Sequence, residues 1–153
     1  MRRKGFTLLE MAIVLVVIGL LIGLVMRGVV LQRGAKVKRV ASDIRNIHTA
    51  VMIYYERNGK YPGDTDNNGT INNNNQAWTD LQNANLAYKK PSPYGTDYVF
   101  DTLAVGTSVR NRIRVAVPDG EDRTEIDKIL DDGVLTSGAV QLISPDTLYY
   151  ILD

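Results

Sequence analysis

From Phe6 to Met26 the chain runs 21 residues with a single charge, Glu10, directly behind the basic cluster Arg2-Arg3-Lys4 and Gly5. At about 1.5 Å of rise per residue, such a run covers roughly 30 Å as a helix, the thickness of a hydrocarbon core. Leu, Ile, Val and Met fill it. The basic cluster predicts that the N-terminal end stays cytoplasmic. A carboxylate inside such a run is expensive unless something pairs with it, which makes Glu10 the most informative residue of the sequence. An ordinary secretory signal fits poorly, because its apolar region is shorter and ends at an Ala-x-Ala type site, whereas this run passes directly into a basic helical segment. A plain membrane anchor accounts for the length and leaves Glu10 unexplained.

The stretch Lys4-Gly5-Phe6-Thr7-Leu8-Leu9-Glu10-Met11 resembles the processing site of type IV pilins and of the related pseudopilins of type II secretion. The resemblance covers about the first 30 residues. It implies that a membrane peptidase cuts between Gly5 and Phe6 and that the new amine of Phe6 is methylated. That cut leaves the apolar helix on the protein and creates a positive amine about one helical turn from Glu10. The carboxylate can meet its own amine or, in a filament, that of a neighbouring subunit. A buried pair of this kind is weak evidence for stability but can set register, and removing one partner strands a charge.

With 153 residues the chain holds one modest domain beside an anchor. Its 18 basic and 17 acidic side chains give +1, and loss of Arg2, Arg3 and Lys4 leaves the mature side chains at −2, so nucleic acid is not an expected partner. No cysteine is present. Many pilins close a C-terminal loop with a disulfide, and this chain departs from that pattern; packing, hairpin pairing or a metal must secure its C-terminal region.

Gly19, Gly23, Gly28 and Gly34 punctuate the first half of the helix, each at about 1 kcal/mol relative to alanine. Any local unwinding in a packed fibre is expected between Gly19 and Gly28; the alternative is an uninterrupted helix with packing glycines. From Lys36 to Arg57 the pattern becomes amphipathic, with Val37, Val40, Ala41, Ile44, Ile47, His48, Val51, Tyr54 and Tyr55 on one stripe. Lys38, Arg39, Asp43 and Arg45 fall mainly off that stripe; Lys36, Lys38, Arg39 and Arg45 read as a solvated face, the alternative being an exposed basic patch near the membrane or a subunit contact. His48 has no second histidine or cysteine to complete a transition-metal site and reads as a packed residue. Phe6 to Arg57 makes 52 residues, about 78 Å of helix, and Asn58-Gly59 stops it.

Asp64, Asp66, Asn68 and Thr70, with Gly69 between the last two, resemble the front of an EF-hand-type calcium loop. The closing glutamate is missing, so a Ca2+ ion here would need another carboxylate such as Asp80; the alternative is a polar loop of turn formers. Trp78 to Tyr88 predicts a short helix, and Tyr98 to Leu103 a strand. Val109, Asn111, Ile113, Val115 and Val117 alternate with Arg110, Arg112 and Arg114, a half-buried strand with an arginine stripe on its outer face. Pro118-Asp119-Gly120 breaks the sheet, Thr124 to Asp131 predicts a helix, and residues 139–143 and 147–152 pair across Ser144-Pro145-Asp146. The acidic helix, Asp132-Gly133 and Ser137-Gly138 resemble the C-terminal region of some prepilin-type proteins. Helix capping and solvated charge account for Asp127 and Asp131 better than a metal does.

These signals predict an α+β, pilin-like fold: a long N-terminal helix, apolar in one half and amphipathic in the other, packed on a small antiparallel sheet. The expected segments are a leader at 1–5, a transmembrane and filament-core helix at 6–26, its amphipathic half at 27–57, and a globular head at 58–153. No nucleophile–base pair or phosphate-binding loop points to an enzyme. The resemblance implies a structural subunit of a type IV pilus: a homo-oligomeric filament processed by a prepilin peptidase and extruded by inner-membrane machinery. The expected course is from inner-membrane precursor to extracellular fibre. A periplasmic pseudopilin, or a minor pilin binding DNA or a surface, are the alternatives.

Overall fold

The computed structural model describes residues 6–105 and 108–152, leaving aside the side chains of Val105 and Ile143. Helix α1 spans Leu8–Asn58, and the chain forms two compact units, one through Ala35 and one from Lys36 onward.

In the first unit the apolar side chains have nothing from the chain to pack on. Leu8 is 93% exposed, Leu20 62% and Leu31 74%. The segment is long and apolar enough to cross a membrane, and none of it is buried within the protein. The helix passes through Gly19, Gly23, Gly28 and Gly34 without a break.

In the second unit the expected stripe does the packing: Val37, Val40, Ala41, Ile44, Ile47 and Val51 are all buried. The helix ends where its signal stands. Gly59 takes φ 70° and donates to the Tyr55 carbonyl at 2.8 Å, a left-handed cap that costs glycine little.

After a loop, α2 spans Asn74–Asn83, capped by Asn73, whose side chain accepts the Gln76 N–H at 3.1 Å. It stops short of the expected Tyr88. Asn85 turns to φ 54°, the N–H groups of Leu86 and Ala87 fold back onto the Leu81 carbonyl, and Tyr88 is left exposed. Strands β1 (Val99–Val105), β2 (Ser108–Ala116), β3 (Val140–Ser144) and β4 (Thr147–Ile151) form one antiparallel sheet in the order β1-β2-β4-β3. Between β2 and β3 lies α3, Gly120–Leu130. It begins four residues earlier than expected, because Asp119 caps it by accepting the N–H groups of Glu121 and Asp122.

The core lies between the inner stripe of α1, the Trp78 face of α2 and the sheet. Trp78 packs on Phe100 with ring centroids 4.9 Å apart and donates to the Tyr98 carbonyl. In place of a disulfide, Asn111 and the last hairpin secure the C-terminal region. The buried Asn111 side chain accepts the Ile71 N–H at 2.7 Å and donates to the Gly69 carbonyl at 3.0 Å, while its backbone carbonyl accepts the Leu152 N–H at 2.8 Å. One residue thus joins the polar loop, the sheet and the end of the chain. Gly63 meets this packing closely: a Cβ there would lie 2.4 Å from the Asn73 carbonyl oxygen, at φ +73°. Gly63→Ala is therefore expected to destabilise the folded chain by about 2 kcal/mol in urea denaturation.

Candidate functional site

The N-terminal constellation begins at Gly5, which lies outside the described residues; Phe6 is described and 79% exposed. Thr7 and Glu10 form a reciprocal cap. The Glu10 carboxylate accepts the Thr7 N–H at 2.8 Å and its hydroxyl at 3.0 Å, and the Thr7 oxygen accepts the Glu10 N–H at 3.2 Å. This is the Thr-x-x-Glu pattern that closes the first turn of many helices. The Thr7-x-x-Glu10 spacing in the sequence is the signal for it. The cap points the carboxylate toward the N-terminal end of the helix, where cleavage after Gly5 would place the new amine.

The loop predicted to resemble a calcium site turns its oxygens onto its own donors. Asp64 accepts the N–H groups of Asn68 at 3.2 Å and Gly69 at 2.9 Å; Asp66 accepts the side-chain amides of Asn68 and Asn72, both at 2.8 Å. Asn68 accepts the N–H of Thr70 and its hydroxyl, at 2.8 and 2.5 Å. Asp80 accepts the Gly63 N–H at 2.9 Å instead of joining this loop. Burial pushes the Asp64 carboxyl up, but the N–H groups of Gly69, Asn68 and Asn67 outweigh it and hold the group below the usual range. Each side-chain oxygen of Asp64, Asp66 and Asn68 thus accepts at least one bond from within the loop.

Of the arginine stripe, Arg110 is exposed, and the other two members are engaged. Arg112 is only 8% exposed, 3.0 Å from Asp101 and 4.0 Å above the Tyr149 ring; Arg114 approaches Asp101 at 3.9 Å. The strand alternation placed Arg112 outward correctly, but Asp101 of β1 and Tyr149 of β4 cover it there. Two members of the basic face of α1 are engaged as well. Lys36 lies over the Tyr94 ring, and Arg45 donates to the Ile129 carbonyl. His48 faces the Leu152 carbonyl at 3.2 Å and the Tyr150 hydroxyl at 3.4 Å, the packed role expected of it.

Two carboxylates that the spacing places off the apolar stripes, Asp43 and Asp127, are buried. Asp43, off the apolar stripe of α1, is 4% exposed and accepts the Lys90 ammonium at 2.5 Å and the Tyr98 hydroxyl at 3.0 Å. Burial first, then the Asp43 charge, pushes the Tyr98 hydroxyl well above the ordinary tyrosine range. Asp127 corrects a second expectation: it is not solvated but wholly buried, and neither of its carboxylate oxygens has a hydrogen-bond partner. Burial, then the charges of Asp132 and Asp131, raise its carboxyl to about 6; the neighbouring Gly133 N–H opposes this from outside hydrogen-bond geometry.

Comparison with known proteins agrees with both ends of this description. Residues 1–26 match the prokaryotic N-terminal methylation motif. The structure of the major type IV pilin PilA1 from Clostridium difficile is similar over 78% of this chain and 96% of that one, with a TM-score of 0.50 and 16% identity, a likeness of fold. No curated protein matches the chain. The chain carries the prokaryotic N-terminal methylation motif and has the fold of a type IV pilin.

Proposed function

We propose that the protein is a structural subunit of an extracellular type IV pilus. On this reading residues 1–5 are a leader, removed between Gly5 and Phe6 by a prepilin peptidase that then methylates the Phe6 amine. The mature chain waits in the inner membrane, and assembly machinery there moves it into a homo-oligomeric filament. The observation that carries the reading is a helix start exposed on every side, apolar except for Glu10, and matched by the methylation motif.

Such a helix needs an apolar surrounding in both states. Lipid supplies it before assembly and a bundle of identical helices afterwards, so the exchange is nearly balanced. Helix association without a hydrophobic driving force relies on close packing and polar contacts. Gly19-x-x-x-Gly23 supplies a small-residue seam for the first, and Glu10 with the Phe6 amine of a neighbour supplies the second. The fold and motif are those of structural subunits, not of enzymes.

The experiment is electron microscopy of fibres sheared from the native cells, with mass spectrometry of their N-terminus. Abundant long fibres whose subunit begins at methyl-Phe6 are the expected result. A subunit that keeps Met1 to Gly5 and never enters a polymer overturns the reading. A processed subunit confined to the envelope transfers it to a pseudopilin.

A further inference from the structure

We propose that Asp127, Asp131 and Asp132 form a calcium site at the end of α3. One carboxylate oxygen from each lies within 4.8 Å of the others. Calcium takes oxygen ligands at about 2.3–2.6 Å, so two oxygens on one ion stand at most about 5 Å apart.

Acidic clusters on a surface are common and by themselves mean little. The difference here is Asp127. It is 0% exposed, both of its oxygens lack a hydrogen-bond partner, and it is flanked by two further carboxylates. A buried carboxylate ordinarily has donors or a cation against it. No basic side chain supplies one: none of the ion pairs among the described residues involves these three aspartates. Arg45, which reaches this region from α1, donates to the Ile129 carbonyl instead.

The two exposed aspartates are held in position by the loop that follows. Asp131 accepts the Ala139 N–H at 2.5 Å; Asp132 accepts the Val134 N–H at 2.7 Å and the Ser137 hydroxyl at 3.1 Å. Gly138 leaves room for the Asp131 carboxylate, since a Cβ there would lie 1.8 Å from its oxygen. Each carboxylate oxygen that accepts one bond keeps a second lone pair for a ligand. Three carboxylates with no histidine or cysteine select a hard cation. Oxygens spread up to 4.8 Å suit calcium better than magnesium, whose ligands stand at about 2.1 Å in strict octahedral order. Water completes the shell on the exposed side. The site is built wholly from the unit beginning at Lys36 and does not depend on the fibre reading.

The test uses the full chain in detergent micelles, stripped with EDTA and then given calcium chloride. Calcium at 5 mM is expected to raise the melting temperature by about 5–10 °C, and magnesium at the same concentration by less. Asp127→Asn should melt no lower than the native chain in EDTA, because a buried uncompensated charge is gone, and should lose the calcium response. Asp132→Asn, a change at an exposed position, should lose most of that response. Asp64→Asn, in the other acidic loop, should retain it. A melting temperature unmoved by 10 mM calcium overturns the proposal. So does a calcium response that survives both Asp127→Asn and Asp132→Asn, or one abolished by Asp64→Asn alone.

Discussion

Glu10→Ala is expected to enter the membrane as the native chain does and to form no fibres. Insertion depends on the apolar run from Phe6 to Met26, which the substitution makes more apolar. Assembly depends, on the reading proposed here, on a carboxylate meeting the Phe6 amine of a neighbour inside a bundle of helices. Removing one partner of a buried pair costs about 3–5 kcal/mol, because the other charge is left stranded. Every subunit in the fibre would carry that penalty, and at 1.4 kcal/mol per tenfold it weakens each addition by at least about 100-fold. Immunoblots of the membrane fraction and electron microscopy of the sheared fraction check the two halves of the prediction.

The Thr7–Glu10 cap offers a competing account of the same outcome, since Glu10→Ala also removes an N-terminal cap. Thr7→Ala separates them. It removes the capping hydroxyl at about 1 kcal/mol and leaves the carboxylate charged. Glu10→Gln keeps much of the cap and removes the charge. If the charge sets register, Thr7→Ala still makes fibres and Glu10→Gln makes none. Fibres from Glu10→Gln together with their loss in Thr7→Ala would assign the effect to the cap and end the register argument.

Features set by neighbours along the chain were legible in the residues. The apolar run, the stripe from Val37 to Val51, the stop at Gly59 and the inward places of Asn111, Ile113, Val115 and Val117 all depend on local spacing and stand where that spacing put them, although Val109 at the start of β2 is exposed. Features set by residues distant along the chain were not. Asp43 sits at the edge of the α1 stripe, and its burial requires Lys90 and Tyr98, 47 and 55 residues away, to arrive beside it. Arg112 points outward as its strand position demands, but its cover comes from Tyr149 on a strand that follows a helix and a turn. Asp127 reads in the sequence as one of several helix aspartates, and nothing in its spacing announces that it is buried. Polar side chains carry no periodicity that distinguishes a solvated face from a covered one; the partner decides, and here it lies far off in the chain.

Asp43→Ala is expected to destabilise the folded chain by about 3 kcal/mol, a large fraction of what a domain of this size holds in reserve. The loss is concentrated on one partner. The Lys90 side chain is 45% exposed and that of Arg39 61%, so both find water when the carboxylate goes. Tyr98 does not: it is 0% exposed and would keep a buried hydroxyl with no acceptor. Asp43→Asn retains an acceptor for that hydroxyl and should cost about 1 kcal/mol. Lys90→Ala, which removes only the exposed arm, should cost at most about 1 kcal/mol. Urea denaturation of the three variants with Tyr98→Phe and the Asp43→Ala/Tyr98→Phe double variant checks the assignment. Once the hydroxyl is gone, Asp43→Ala should lose most of its effect. The same contact has an alkaline signature. The folded chain holds the Tyr98 proton where an unfolded chain releases it, so its stabilising contribution is complete below the ordinary tyrosine range and falls away as pH rises above it. Tyr98→Phe removes that slope. A double variant as unstable as the sum of its parts would show that the carboxylate stabilises the fold through Lys90 and Arg39 instead.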